Sequence, residues 1–323
     1  MELILSQNRL DRGRQTHFVR HFLQLKGASS LHTAQAYERD IKEFFGVHEV
    51  EAVQLQTVVE VGMHQVEHWL LDMKGRGLKP ATINRKLSSL SSLYRWLLKY
   101  QDNRTGKTLI HFNPFAHLKE EKPRQEQSQT QFLTEAECQT LLDSFDIAKV
   151  LDLRNKAILS LALTTALRKS EIINLRLQDI TRVSDFDVAL VTRKGGKLDT
   201  VKLQPPVKAL LDAYVEKTGR SYKAEPFAYL FVGHSRNQKN GDKLDPSALN
   251  YMIKAVCKRA GIEKPLSVHS TRHTAITLAI LGGATIEKVR DFAAHQSIAT
   301  TNRYVHSMDR LKDNAGDVIT LTI

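Results

Sequence analysis

Cysteine is almost missing from this chain. Only Cys138 and Cys257 occur among 323 residues, far apart and without the spacing of a metal site. That excludes a disulfide framework and a structural zinc. Long apolar runs are missing too: no stretch approaches the ~20 residues of a membrane-spanning helix. The apolar start of MELILSQNRLDRGR is too short for a secretory signal, and polar residues follow at once. No internal repeat or low-complexity tract appears. These absences point to a reducing cytoplasm and to no membrane partner.

Negative charge is also in short supply. Acids number 35 against 47 lysines and arginines, for a net charge of +12 and a pI near 9.6. Such a surplus suits a polyanionic partner, nucleic acid ahead of an anionic membrane surface. A basic chain with no special partner fits the same numbers. What is present is ordinary: 41% hydrophobic and 25% charged residues, in a length suited to two domains.

Apolar spacing predicts two helices within 16–45, separated by a turn around Gly27 to Ser30. Phe18, Phe22 and Leu25 would face inward in the first, and Ala34, Tyr37, Ile41, Phe44 and Phe45 in the second. A third helix covers about Met63 to Lys74, and a fourth opens at Lys79-Pro80-Ala81-Thr82. The stretch AHLKEEKPRQEQSQTQ has almost nothing to bury and reads as a linker. Thr134 and Glu137 then form a capping-box pattern. Further on, 154–166 reads as a buried helix and Lys169 to Leu177 as another. Val188 to Thr192 and Thr200 to Leu203 read as a hairpin around Arg193-Lys194-Gly195-Gly196-Lys197. Helices are expected at about 206–217, 246–260, 271–281, 285–294 and 298–306, with a short strand at Tyr229 to Val232. The fold class expected is therefore two domains: an all-α domain over 1–118, a linker over 119–131, and a mainly α domain with a small antiparallel β-sheet over 132–323.

Several residues invite chemistry, and each has a plain reading beside it. Arg168 stands where an apolar helix meets a new one, a place where anions bind; it could equally pair with Glu171 or cap carbonyls. The cations of the hairpin tip could reach a phosphate or simply be solvated. His269 and Arg272, three apart, would share a helix face. An arginine beside a histidine suits an anion rather than a metal, though Ser270 could be no more than a cap there. His295 sits at a helix end, where imidazolium would be favoured by the dipole. Tyr304 lies on the last helix, with Ile298 and Val305 as expected core residues. In chain order Arg168, Lys194, His269, Arg272, His295 and Tyr304 supply cations, proton carriers and a hydroxyl. Together they could carry out phosphoryl transfer without metal.

The chain resembles the tyrosine recombinase (phage integrase) family. TALRKSE is similar to its first arginine segment, RKGGK to its glycine-lysine-glycine hairpin, and HSTRH to its His-x-x-Arg-His stretch. AAHQSIATTNRYVH is similar to its segment of leucine, glycine and histidine followed nine residues later by tyrosine. Ala166, Arg193 and Ala294 stand where that family usually has glycine. The resemblance implies a core-site DNA-binding domain ahead of a catalytic domain, the two clamping double-stranded DNA. It further implies Tyr304 as nucleophile, Arg168, Arg272 and His295 on the nonbridging oxygens, and Lys194 as the acid, with Lys197 as second choice. His269 would be the base, and Glu171 and His273 would orient the arginines. No metal or ATP would be needed. Arg85, Lys86 and Arg95 are the candidate DNA contacts of the N-terminal domain. A homotetramer on DNA is implied, with residues 317–323 docking on a neighbouring protomer; an accessory DNA-bending or directionality protein and a nucleoid location are consistent with it. A regulator without catalysis would have lost one of these groups, and none is lost. A type IB topoisomerase shares the chemistry, but the helical N-terminal half favours a recombinase. A first helix starting near residue 16 favours the resolvase, Xer or small-element kind.

Overall fold

Among the described residues of the first hundred, helical periodicity resolves into five α-helices, with one short 3-10 turn at Val50–Ala52. In the computed structural model these are α1 Phe18–Ser29, α2 Leu31–Phe45, α3 Leu55–Glu60, α4 Met63–Gly75 and α5 Pro80–Leu97. The structure describes residues 16–101, 106–118, 121–124, 131–193, 195–234 and 243–302. Lys194, Tyr304, Val305, His306 and residues 317–323 lie outside the described residues. The chain divides into two compact units, 1–128 and 129–323.

In the first unit α1 runs through Gly27, and the break falls at Ser30. That residue is extended, and its hydroxyl accepts the Thr33 amide to cap α2. The buried stripe of α1 runs through Phe18, Val19, Phe22 and Leu23, which leaves Leu25 off its edge: it is 48% exposed, against the inward placement its spacing predicts. Phe18, Phe22, Ile41, Leu87, Leu90 and Tyr94 form the buried seam, closed by Phe115 beyond α5. Tyr94 donates its hydroxyl to the Val58 carbonyl at 2.9 Å, so a large ring is buried without stranding its polar tip. Pro80, at the first position of α5, starts that helix where its missing N–H has no partner to lose.

A buried charge ties α2 to α5. Asp40 is 1% exposed and accepts from Arg85 (Nη2 at 3.0 Å) and from Ser89 Oγ at 2.6 Å. Lys86, also buried, pairs with Glu43 and lies 3.7 Å from Asp40. This bears on the expected DNA contacts. The Lys86 ammonium is turned inward and satisfied within its own unit, because burying it unpaired would cost several kcal/mol (about 3–5). Arg85 holds Asp40 with its head partly exposed, and Arg95 points to solvent.

The second unit is built around α7 Val150–Thr165, which buries residues on nearly every side and packs against α9 Pro205–Lys217 and α11 Val268–Leu281. Further α-helices among the described residues are α6 Glu135–Asp143, α8 Lys169–Asn174, α10 Pro246–Arg259 and α12 Ile286–Phe292, and 298–302 are also helical. Thr134 and Glu137 cap α6 reciprocally, as their spacing predicts. Three antiparallel strands, β1 Ile180–Val183, β2 Phe186–Thr192 and β3 Leu198–Lys202, form a sheet in that order. β1 was not legible in ITRV, whose alternation is too short to stand apart from its flanks. Its pairing with β2, Ile180 opposite Ala189, becomes clear only in the sheet. The strand expected at Tyr229 to Val232 is reduced to isolated bridges from Tyr229 to Arg176 and from Val232 to Lys243. Mostly helical units with one small antiparallel sheet are the fold class expected from the sequence. No described helix is long and apolar enough to cross a membrane.

Candidate active site

Arg168 is the last of the three residues between α7 and α8. Ala166, at the C-terminal end of α7, turns the chain through a left-handed conformation (φ 50°, ψ 25°), and Arg168 then caps α8. Its main-chain N–H and its Nη1 both donate to the Glu171 carboxylate, at 2.7 and 2.9 Å. Its other amine, Nη2, points to the Ala294 carbonyl at 3.5 Å. The sequence left pairing with Glu171 and anion binding as alternatives. The geometry joins them, because the pairing fixes where the guanidinium can present its free edge.

α11 begins at Val268, with Ser267 and Ser270 capping each other's amides. His269 is therefore in the first turn, with Arg272 one turn further on. Arg272 is 3% exposed, and Nη1 donates to the Ala166 carbonyl at 2.5 Å while Nη2 donates to that of Ala293. It staples the turn after α7 to the end of α12. Arg168, His269 and Arg272 line one open pocket of about 430 Å³, together with Lys169, Ser170, Asn250, Ser267 and Val268.

His295 follows α12. Its neighbour Ala294 is the second left-handed alanine (φ 46°), and His295 Nδ1 lies 3.0 Å from the Thr301 hydroxyl. Its ring does not carry the charge that its position at a helix end suggests. Burial, then Arg272 and Arg168, push its pKa down to about 4. His273 meets His269 edge to face at 4.8 Å and is lowered to about 4 by burial, His269, Arg272 and His295. His269 is lowered by burial, then by Arg272 and Arg168. All three imidazoles are thus held toward the neutral form, by burial first and by neighbouring positive charge after it.

The hairpin corrects one reading and adds a residue. Arg193 is not a solvated cation of the tip. It is 8% exposed and turns inward to Glu171 Oε2 at 2.8 Å and Asp199 Oδ2 at 2.9 Å. Lys197 is exposed, and Lys194 lies outside the described residues. Gly195 and Gly196 adopt φ of 88° and 81°, which glycine reaches without strain. Ile298, expected in the core, is 42% exposed; Thr301, at 0%, takes the inward position instead. Thr301 and Asn250 escaped the sequence reading. The first lies within the quoted HQSIATTNRY stretch, but a lone threonine carries no signal, and nothing near Asn250 marks it. Among the described residues no group of three or more His, Cys, Asp or Glu side chains could hold a metal ion.

Comparisons with known proteins bear on the family and the fold. Residues 131–310 match the phage integrase family and residues 17–101 the phage integrase N-terminal SAM-like domain. The chain is 30% identical over 291 residues to tyrosine recombinase XerC of Anoxybacillus flavithermus, covering 88% of this chain and 90% of that protein. It is 27% identical to tyrosine recombinase XerD of Listeria innocua, over 91% and 94% of the two chains. In fold it is similar to the XerH site-specific recombinase bound to palindromic difH substrate, with TM-score 0.71 and 18% identity over 93% of this chain and 83% of that one. It is also similar to the Tn1549 transposon integrase in complex with circular intermediate DNA, with TM-score 0.65 and 18% identity over 89% and 93%.

Proposed function

The chain belongs to the phage integrase family of tyrosine site-specific recombinases, and on that footing we propose that it cuts and rejoins DNA through Tyr304. The observation that carries this is the convergence of Arg168, His269 and Arg272 on one pocket, with two fixed guanidiniums around a space open to a backbone phosphate. In the first step the Tyr304 oxygen bonds to phosphorus and the bond to the 5′-oxygen breaks. A 3′-phosphotyrosyl link remains, together with a free 5′-hydroxyl. The link conserves the phosphodiester, so rejoining is the same step reversed and needs no ATP.

Each group then has a task set by its environment. Arg168 and Arg272 stabilise charge on the nonbridging oxygens, the dominant contribution in such reactions. His269, neutral at pH 7, takes the proton of Tyr304; a protonated imidazole could not. His295, also neutral, donates from Nε2 when the Thr301 hydroxyl donates to Nδ1. Lys194 gives its proton to the leaving 5′-oxygen. The charge a metal would bring is already supplied by guanidiniums, which repel a cation. Double-stranded DNA is the substrate, with Arg95 making contact from α5. Exchange between two duplexes takes four such sites, hence a homotetramer on DNA in which residues 317–323 reach a neighbouring protomer.

The test uses duplexes enriched by binding from a randomised pool, cloned singly and in pairs into a supercoiled plasmid. Recombinant circles from the paired plasmid alone support the proposal. Relaxation of both plasmids without exchange would instead indicate a topoisomerase.

A further inference from the structure

We propose that Arg193 is a positioning residue for Arg168, acting through Glu171; the inference rests on the function proposed above. Arg193 directly follows β2, the central strand of the sheet, and immediately precedes Lys194. Its side chain is 7% exposed, unusual for an arginine at a turn. Nη1 donates to Glu171 Oε2 at 2.8 Å and Nε to Asp199 Oδ2 at 2.9 Å, across the ladder in which Asp199 faces Val191. Its main chain closes the turn, its N–H donating to the Lys197 carbonyl at 2.7 Å and its carbonyl accepting from Gly196 at 3.0 Å. One planar fork therefore joins the root of the hairpin to the carboxylate that orients Arg168.

The physical reason lies in how Glu171 is shared. Its side chain is 4% exposed, so both carboxylate oxygens need partners inside the protein. Oε2 accepts Arg193 Nη1 and the Arg168 main-chain N–H; Oε1 accepts Arg168 Nη1 at 2.9 Å. With Arg193 in place, Arg168 satisfies Glu171 with one amine and keeps Nη2 directed away from it, toward the Ala294 carbonyl. Without Arg193, Glu171 keeps one cationic side chain, and Arg168 is drawn onto both oxygens and away from the phosphate. The fork geometry matters, because a single ammonium cannot hold Glu171 and Asp199 in fixed directions. This position is also one where the resemblance places a glycine, which has no side chain to make such a pin.

Single-turnover cleavage by Arg193→Met and Arg193→Lys tests the idea on three versions of one duplex. One carries an ordinary scissile phosphate. The second has a methylphosphonate there, which removes one nonbridging charge. The third has a 5′-bridging phosphorothiolate, whose thiolate leaves without an acid. Arg193→Met is expected to slow cleavage ~10- to 100-fold on the phosphate, the range for losing a charged hydrogen bond that orients a reacting group. The loss should persist on the phosphorothiolate and shrink to about threefold or less on the methylphosphonate, where Arg168 has less charge to stabilise. Arg193→Lys should show the same pattern with a smaller loss. Equal losses on all three duplexes would overturn the inference in favour of a purely structural role. Rescue by the phosphorothiolate would overturn it in favour of action on the leaving group. If Arg193→Met does not fold, as judged by its melting curve, Asp199→Asn should give the same pattern of ratios, and a flat pattern there refutes the idea. The wild-type rate on the ordinary phosphate tests the proposed function; only the ratios between duplexes test Arg193.

Discussion

Replacing Ala294 with glycine should make the second unit more stable, although it removes a side chain. Ala166 and Ala294 have φ of 50° and 46°, where an L-residue is strained by its own Cβ. That strain costs roughly 1–2 kcal/mol per residue. Glycine relieves it, but adds freedom to the unfolded chain worth ~0.4–1 kcal/mol in the opposite direction. For the partly exposed Ala294 little burial is lost, and the balance is a gain of about 0.5–1 kcal/mol. Ala166 differs because it is 0% exposed. Its methyl contributes about 0.8 kcal/mol of burial, which brings Ala166→Gly close to neutral. The second unit spans 129–323, a size at which 1 kcal/mol moves the melting point by about 2–4 °C. Calorimetry should therefore show Ala294→Gly melting about 1–4 °C higher and Ala166→Gly barely moved. A lower melting point for Ala294→Gly, or equal shifts for both, would refute the reasoning.

Three further outcomes follow from the same geometry. Arg272→Lys cannot reach the Ala166 and Ala293 carbonyls together. It should lose ~10²–10³-fold in single-turnover cleavage and ~1–3 kcal/mol of stability in urea melts; a near-normal rate would contradict the role given to its fork. His273 and His295 titrate near 4 in the fold, below the ~6.5 of an unfolded histidine. The unfolded chain thus binds more protons between those values: stability is full above about 6.5 and falls as the pH drops toward about 4, then this contribution stays flat. After solvent screening each ring contributes of order 1 kcal/mol, so His295→Asn should flatten that slope in urea midpoints taken across the window. Arg95→Ala should weaken DNA binding and reduce the log–log salt slope by ~0.9, the value for one phosphate contact. The same change at Lys86, whose ammonium is enclosed, should lower stability and leave the salt slope unchanged.

Much of the fold was legible because its signals are local. Helical spacing, the Thr134–Glu137 cap and the paired glycines of the hairpin act over a few residues. What escaped depends on partners distant in the chain. Leu25 was misplaced because the rest of the unit covers the α1 face of Val19 and Leu23 instead, and β1 is defined by its ladder with β2. Arg193 shows the limit most clearly. As text it is one cation among three at a turn; only the fold shows Glu171 and Asp199 waiting for it. His295 shows it for charge: a helix end favours imidazolium, but burial and two neighbouring guanidiniums outweigh that dipole, worth only ~0.3–1 kcal/mol at an exposed end. Arg168, His269 and Arg272 were expected from order and chemistry along the chain, and the fold brings them to one pocket; the left-handed turns at Ala166 and Ala294 have no signature in an alanine.

The central claim is that Tyr304 attacks the scissile phosphate. A nicked suicide duplex, from which the short 5′-hydroxyl strand diffuses away after cleavage, traps the covalent intermediate, and peptide mapping locates its attachment. The account predicts one adduct, on Tyr304 through a 3′-phosphate, and none from Tyr304→Phe. An adduct on any other residue, or one that survives Tyr304→Phe, would contradict it.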